Sequence, residues 1–176
     1  MAYTTQAHPY VDYLFSLSSG QQKGAIADLR RGLSDPPAAS PAMFPYVAKW
    51  VSDADRYTWK EKVYYLVAAL FAYYQSGGGQ AKNIRRTTGN LGDHCREASQ
   101  KEQKSKSFEM RFAALLKAND EDLPILLRQM ISLLKSADVA VNWDQLFYDL
   151  CHWNSQKNFV QHRWSNSYWN YQNNEK

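Results

Sequence analysis

From Phe108 onward, apolar residues recur at helical spacing in three consecutive runs. Phe108, Phe112, Leu115 and Leu116 form the first stripe. Leu123, Leu126, Leu127, Met130, Ile131, Leu133 and Leu134 form the second, and Trp143, Leu146, Phe147, Leu150 and Trp153 the third. Asn119 and Asp120 offer an end and a new start between the first two. Asp120, Glu121 and Asp122 suit the exposed N–H groups of a helix N-terminus, and Pro124 falls in a first turn, where a missing N–H costs little. Asn142 is placed to cap the third helix.

The first half follows the same period. Trp59, Val63, Leu66, Val67, Leu70, Phe71 and Tyr74, extended by Tyr65 and Ala68, are apolar around most of a helix's girth. That predicts a central core helix, capped by Asp55 or Thr58 and running to about Gln75. A short helix starting at Pro9 carries Tyr10, Val11, Leu14, Phe15 and Leu17. Ser18 or Ser19 is expected to cap a second helix to about Leu33, with Ile26, Leu29 and Leu33 inward. The Pro-rich stretch Ser34–Pro45 reads as a connector, and Tyr46–Val51 as a short amphipathic segment. Val160, Trp164, Tyr168 and Tyr171 predict a last helix. No strand alternation outcompetes these periods, so the expected fold class is all-α with no β-sheet.

At 176 residues and 44% apolar content, the chain suits one domain or two small lobes sharing a core. Two cysteines far apart do not make a disulfide framework, so a reducing, cytoplasmic setting is expected. No basic, apolar leader opens the sequence. The longest apolar run, Val63–Tyr74, is too short to span a bilayer. A soluble protein without a membrane partner follows.

The net charge of +4, with a pI near 9.0, favours an anionic partner. Its location is informative. Between Ser76 and Ser107, Lys82, Arg85, Arg86, Arg96, Lys101, Lys104 and Lys106 outnumber Asp93, Glu97 and Glu102 by seven to three, a surplus equal to that of the whole chain. This is also the least regular stretch, opened by Gly77, Gly78 and Gly79. It reads either as a solvated loop or as a flexible basic arm that orders on a phosphate backbone.

No catalytic constellation stands out. The glycine run continues Gln80, Ala81, Lys82 and lacks the Gly-Lys-Ser/Thr ending of a phosphate-binding loop. His94–Cys95 and Cys151–His152 are adjacent pairs, whereas structural zinc ligands are spaced so that both donors can reach one ion. Neither metal nor cofactor is expected. Asp93–His94, or His152 with Asp144 or Asp149, supplies no nucleophile or fixed second carboxylate, so Asp144 reads as a first-turn acid and Asp149 as a solvated face residue. A non-enzyme is the resulting expectation.

Basic residues on the helices are the better candidates. Arg30 and Arg31 either complement a helix C-terminus or contact phosphate. Arg111 lies about forty degrees from Leu115 at the edge of its stripe, and Arg128 roughly sixty degrees past Ile131. Lys157 and Arg163 lie among the aromatics of the last helix. With Lys82, Arg85 and Arg86 they would form one basic track if they share a face. Otherwise the chain is a helical protein–protein adaptor with a solvated basic face.

Three stretches carry a family resemblance: ADLRRGLSDP, then TTGNLG, then Phe108–Trp153 with its RFxxLL, LxxLLRxxxxLL and VxWxxLxxDLxxW helices. In that order and spacing, over about residues 8–164, the chain resembles the CasB-type small subunit of the type I-E CRISPR surveillance complex, Cascade. The resemblance implies two packed helical lobes, which divide the chain into residues 1–76, a flexible basic Gly-rich connector at 77–106, and residues 107–176. It also implies a subunit without enzymatic activity, present as two copies beside the other Cascade subunits. In that role it contacts guide RNA and the target and non-target DNA strands and holds the R-loop open. Carried over residue by residue, the basic contacts fall on Arg31, Arg111, Arg128 and, less directly, Lys157.

Overall fold

The computed structural model describes residues 6–20, 23–34, 40–77, 79–103 and 105–169. The fold is all-α: nine α-helices and no strand occur among these residues. In order they are α1 (Pro9–Ser19), α2 (Lys23–Arg31), α3 (Phe44–Val47), α4 (Trp59–Gln75), α5 (Leu91–Glu102), α6 (Ser105–Leu116), α7 (Leu123–Ser136), α8 (Trp143–Cys151) and α9 (Phe159–Trp169). Single 3₁₀ turns flank α3 and cover Ala81–Asn83. Tyr171 and the Asn-rich end lie outside the described residues, as do residues 35–39 of the Pro-rich connector and Gln21–Gln22.

Helix α4 is the axis. Every residue from Val63 to Ala72 is buried, so its neighbours must cover it on all sides. α1, α2 and α3 pack on it from the N-terminal half, α7 and α8 from the C-terminal half, and one continuous apolar cluster joins the two lobes. Thr58 caps it by accepting from the Lys60 N–H at 3.2 Å, which settles the choice between Thr58 and Asp55. Asp55 instead pairs with Lys60 at 3.0 Å. Polar atoms on core aromatics find carbonyls across the fold. Tyr10 donates to Tyr64 O at 2.7 Å, Tyr74 to Val139 O at 2.6 Å, and Trp59 Nε1 to Leu150 O at 2.7 Å. Each lets a large ring be buried without an orphaned donor.

Three expectations are corrected. Ser18 and Ser19 do not start α2; they end α1, with hydroxyls donating back to Phe15 O and Ser16 O. Asp149 is not a solvated face residue but fully buried, accepting from Trp164 Nε1 at 2.6 Å, Gln145 Nε2 at 2.7 Å and the Arg163 guanidinium. The stretch expected to be irregular holds a whole helix, α5. Asn90 caps it through a reciprocal box, accepting from Gly92 N–H at 2.8 Å while Asp93 accepts from Asn90 N–H at 2.8 Å. Leu91, His94, Cys95, Ala98 and Ser99 bury one face of it. α5 lies along α9 so closely that a Cβ on Gly92 would sit 2.1 Å from the Trp164 carbonyl oxygen.

Gly92→Ala is therefore expected to cost about 3 kcal/mol, because backbone must move. Gly24→Ala, in α2 with nothing within 4 Å of a new Cβ, should be neutral or stabilising by about 0.5 kcal/mol. Urea melts of both variants read the contrast, and equal effects would refute the close α5–α9 approach.

Stability should also fall on mild acidification. His94 is 1% exposed; burial, then the Arg86 guanidinium, drops its pKa to about 3. Because that lies below the unfolded value of 6.5, the contribution is fully present above pH 6.5 and is lost progressively toward pH 3. Burial lowers His8 in the same direction against the opposing Asp144 carboxylate. Unfolding free energy should drop by about 1–2 kcal/mol between pH 7.5 and 5.5, at roughly 1.4 kcal/mol per pH unit per buried histidine. His94→Asn should flatten that slope; an unchanged slope would assign it elsewhere.

Candidate nucleic-acid interface

The nine basic positions singled out in the sequence separate by what holds them. Four are tied to carboxylates: Arg85, Arg86 and Arg163, and, on the exposed end of α2, Arg31. Arg85 bridges Asp12 and Asp144, taking Asp144 through Nη2 at 3.0 Å and Nε at 3.2 Å, and lies 5.4 Å from the Phe15 ring centroid. Asp144 is itself buried and also accepts from His8 N–H at 2.7 Å. Arg85 thereby links α1, the 84–90 loop and α8. Arg86 pairs with Glu97 at 2.8 Å and donates to Thr88 O and Ala140 O. Arg163 pairs with the buried Asp149. Asp144 and Asp149 are out of water and need such partners, so Arg85 and Arg163 anchor the structure, while Arg86 ties half-exposed Glu97 to the Thr88 and Ala140 carbonyls. The freely swinging arm expected around Arg85 and Arg86 is replaced by a strapped loop.

A second set converges where α4 ends. Lys135, in the last turn of α7, donates to Tyr73 O at 2.8 Å and to Ser76 Oγ at 3.2 Å, with its ammonium 4.6 Å from the Tyr73 ring centroid. Arg128, two turns earlier on α7, holds its guanidinium 5.9 Å from the same centroid. Lys82 donates to Gly77 O at 2.7 Å. The negative end of a helix dipole attracts cations, which explains how the two ammoniums are placed at the end of α4. Burial pulls the Lys135 pKa below its ordinary value; Tyr73 opposes the shift, and the charges of Arg30 and Lys82 add to it. Arg30 and Lys82 are thus close enough to be felt by Lys135. Lys135 escaped the sequence reading because a lysine near a helix C-terminus looks like dipole complement and nothing more.

Beside this group a cleft of about 570 Å³ opens between the end of α2 and the start of α7. Gly32, Leu33, Leu66 and Ile125 line it, with Lys62 and Arg128 as its cations and Asp120 and Glu121 as its acids. Lys62, exposed on α4, was also missed. Arg31 sits at the same end of α2, paired to Asp28 at 2.9 Å yet with 69% of its side chain exposed. Arg128, Lys135 and Lys82 thus gather at the end of α4, and Arg128 also faces the end of α2, where Arg30 and Arg31 lie. Arg111 stands exposed on α6 and Lys157 on the turn between α8 and α9; among the described residues no contact joins either to the Tyr73 group. Glu109, a potential partner of Arg111, accepts from Trp169 Nε1 instead.

Redox and metal chemistry have little to work with in the described residues. No group of three or more His, Cys, Asp or Glu side chains is placed to hold a metal ion. Burial pushes the Cys151 thiol up to about 12 and the Cys95 thiol higher still, so both stay protonated at neutral pH. No helix is long and apolar enough to cross a membrane.

The architecture matches known proteins over nearly its whole length. The family model for CRISPR-associated protein Cse2 matches residues 25–169. A CRISPR-associated protein Cse2 from Thermus thermophilus is 34% identical over 162 residues, which cover 91% of this chain and 88% of that protein. The crystal structure of M. ruber CasB superposes with a TM-score of 0.76 at 30% identity, over 94% of each chain. A chain from a CRISPR RNA-guided surveillance complex superposes with a TM-score of 0.77 at 26% identity, over 92% of this chain and 90% of that one. The helices, their order and their sequence thus agree with one group, and the chain belongs to the Cse2 family of CRISPR-associated proteins.

Proposed function

We propose that the chain is a non-catalytic, nucleic-acid-binding small subunit of a type I-E CRISPR RNA-guided surveillance complex. In this reading two copies sit beside the other subunits, touching guide RNA and both DNA strands. Family membership and the likeness to a chain of such a complex support the assembly. The gathering of Lys82, Arg128 and Lys135 at the end of α4, with Arg30 and Arg31 exposed at the end of α2, supports the nucleic-acid part.

The chemistry suits the task. Exchanging a DNA duplex for a guide–target hybrid is nearly balanced in base-pair energy, so modest backbone contacts tip it. Cations fixed by carbonyls and a ring offer charge without reading bases. Arg30, Arg31, Lys82, Arg111, Arg128 and Lys157 are assigned to phosphates. Arg85, Arg86 and Arg163 are assigned to holding the scaffold, because carboxylates already take up their charge.

Fluorescence anisotropy on duplex and single-stranded probes at stepped salt tests this. Wild type should show a steep negative slope of log K against log salt, at roughly −0.7 to −0.9 per phosphate contact. Arg31→Ala and Arg128→Ala should each flatten the slope by about one contact and weaken binding equally on unrelated sequences. A flat wild-type slope would favour the adaptor reading, and cleavage of either probe by the purified chain would overturn the non-catalytic one.

A further inference from the structure

The outer side of α8 and α9 carries a row of rings that the core does not absorb. Tyr148 is 48% exposed. Its ring centroid lies 4.3 Å from that of His152, one turn further on, and His152 lies 5.9 Å from Phe159. The Arg163 guanidinium is 5.7 Å from the Phe159 centroid and closes the row. His152 Nδ1 is 2.8 Å from the Tyr148 carbonyl oxygen. A carbonyl only accepts, so Nδ1 donates, and this bond fixes the imidazole beside the tyrosine ring. His152 is exposed and Phe159 half-buried.

Charge singles this face out. From Gln145 to Trp169 the only carboxylate is Asp149, which is fully buried. Over the same residues Lys157 is exposed and Arg163 half-buried, and Asn154, Gln156 and Asn158 add exposed amides. These residues thus present rings, the Lys157 ammonium and amides outward and no exposed carboxylate of their own, with Arg163 held on Asp149. A face that docks another protein is depleted in lysine relative to the rest of the surface. A surface for a single strand needs what stands here: π-faces for bases, a cation for a phosphate and hydrogen-bonding groups indifferent to sequence.

We infer that the Tyr148–His152–Phe159 row is a stacking surface for unpaired bases of a single strand, with Lys157 at its edge taking a phosphate. This rests on the nucleic-acid reading proposed above and adds the strand type. It also gives the α8–α9 face a role separate from the cations about Tyr73.

The full-length chain is titrated with an oligothymidylate of about 20 nucleotides, an abasic strand of equal length and a duplex of equal length. Tyr148→Ala should weaken oligothymidylate binding about tenfold, within the range for loss of one base–aromatic stack. It should leave abasic-strand affinity, duplex affinity and the salt slope unchanged, while Tyr148→Trp should bind at least as well as wild type. Lys157→Ala should lower the salt slope on single strands by about one contact. Tyr148 is half-exposed, so its variants are expected to fold, and thermal melts confirm that. If wild type binds with a salt slope but Tyr148→Ala and His152→Ala match it on oligothymidylate, stacking is overturned and the phosphate-binding reading stands. If wild type binds no probe, both fall. If the variants keep full affinity but no longer join the other complex subunits, the row is a protein contact and the inference is wrong.

Discussion

Helix α4 can exist only inside something. Ten consecutive residues from Val63 to Ala72 are buried, and a helix apolar on every side has no stable state in water on its own. It therefore recruits α1, α2 and α3 on one side and α7 and α8 on the other, and the two lobes become one cooperative body. The interface inherits its geometry from that demand. Tyr73 and Ser76 mark where α4 ends; Lys135 joins the Ser76 N–H and hydroxyl in donating to the Tyr73 carbonyl, and Lys82 binds the Gly77 carbonyl just past the helix. A helix that must be enclosed thus places its own C-terminus at the surface as a fixed seat for cations.

Buried carboxylates impose the second constraint. Asp144 and Asp149 sit on α8 one turn and a quarter apart, both out of solvent. Burial pushes the Asp149 carboxyl above its ordinary range, against bonds from Trp164, Arg163 and Gln145 that favour the charged form. Truncating such an acid would leave its arginine unmatched inside the fold, which costs far more than an exposed ion pair. The two acids hold α8 to α9 through Arg163 and Trp164, and to α1 and the 84–90 loop through Arg85 and His8. α8 is in this way a double anchor, and its outer side, where Tyr148 lies, is free to face solvent.

What the sequence disclosed follows from how each signal is encoded. α4, α6, α7 and α8 announce themselves because large apolar residues recur at helical spacing, and Thr58 and Asn142 cap as their residue types predict. α5 hides because its inward face is Gly92, His94, Cys95, Ala98 and Ser99, residues that score as small or polar and are interleaved with Arg96, Lys101 and Glu97. Its Asn90–Asp93 capping box was written in the chain, but no apolar run followed to give it meaning. The site divides the same way. Side-chain type points to Arg31 and Arg128, whereas only the fold distinguishes an arginine facing solvent from Arg85 or Arg163 facing a buried acid, or Arg86 facing Glu97. Asp149 misled for the converse reason, since an aspartate's burial is decided by helices distant in sequence.

These constraints explain how a chain with a net charge of only +4 can present strongly basic ground. Charge matters by where it is matched. Asp12, Asp144, Glu97 and Asp149 neutralise arginines at the joints of the fold, so those pairs project little field. The cations about Tyr73 are satisfied instead by carbonyls, a hydroxyl and a ring, which orient them without cancelling their charge. From Gln145 to Trp169 the one acid is buried and matched to Arg163, which leaves Lys157 as the exposed cation of that surface. A rigid, uncancelled cation is what a backbone-reading site requires, because it loses little side-chain freedom when a phosphate arrives.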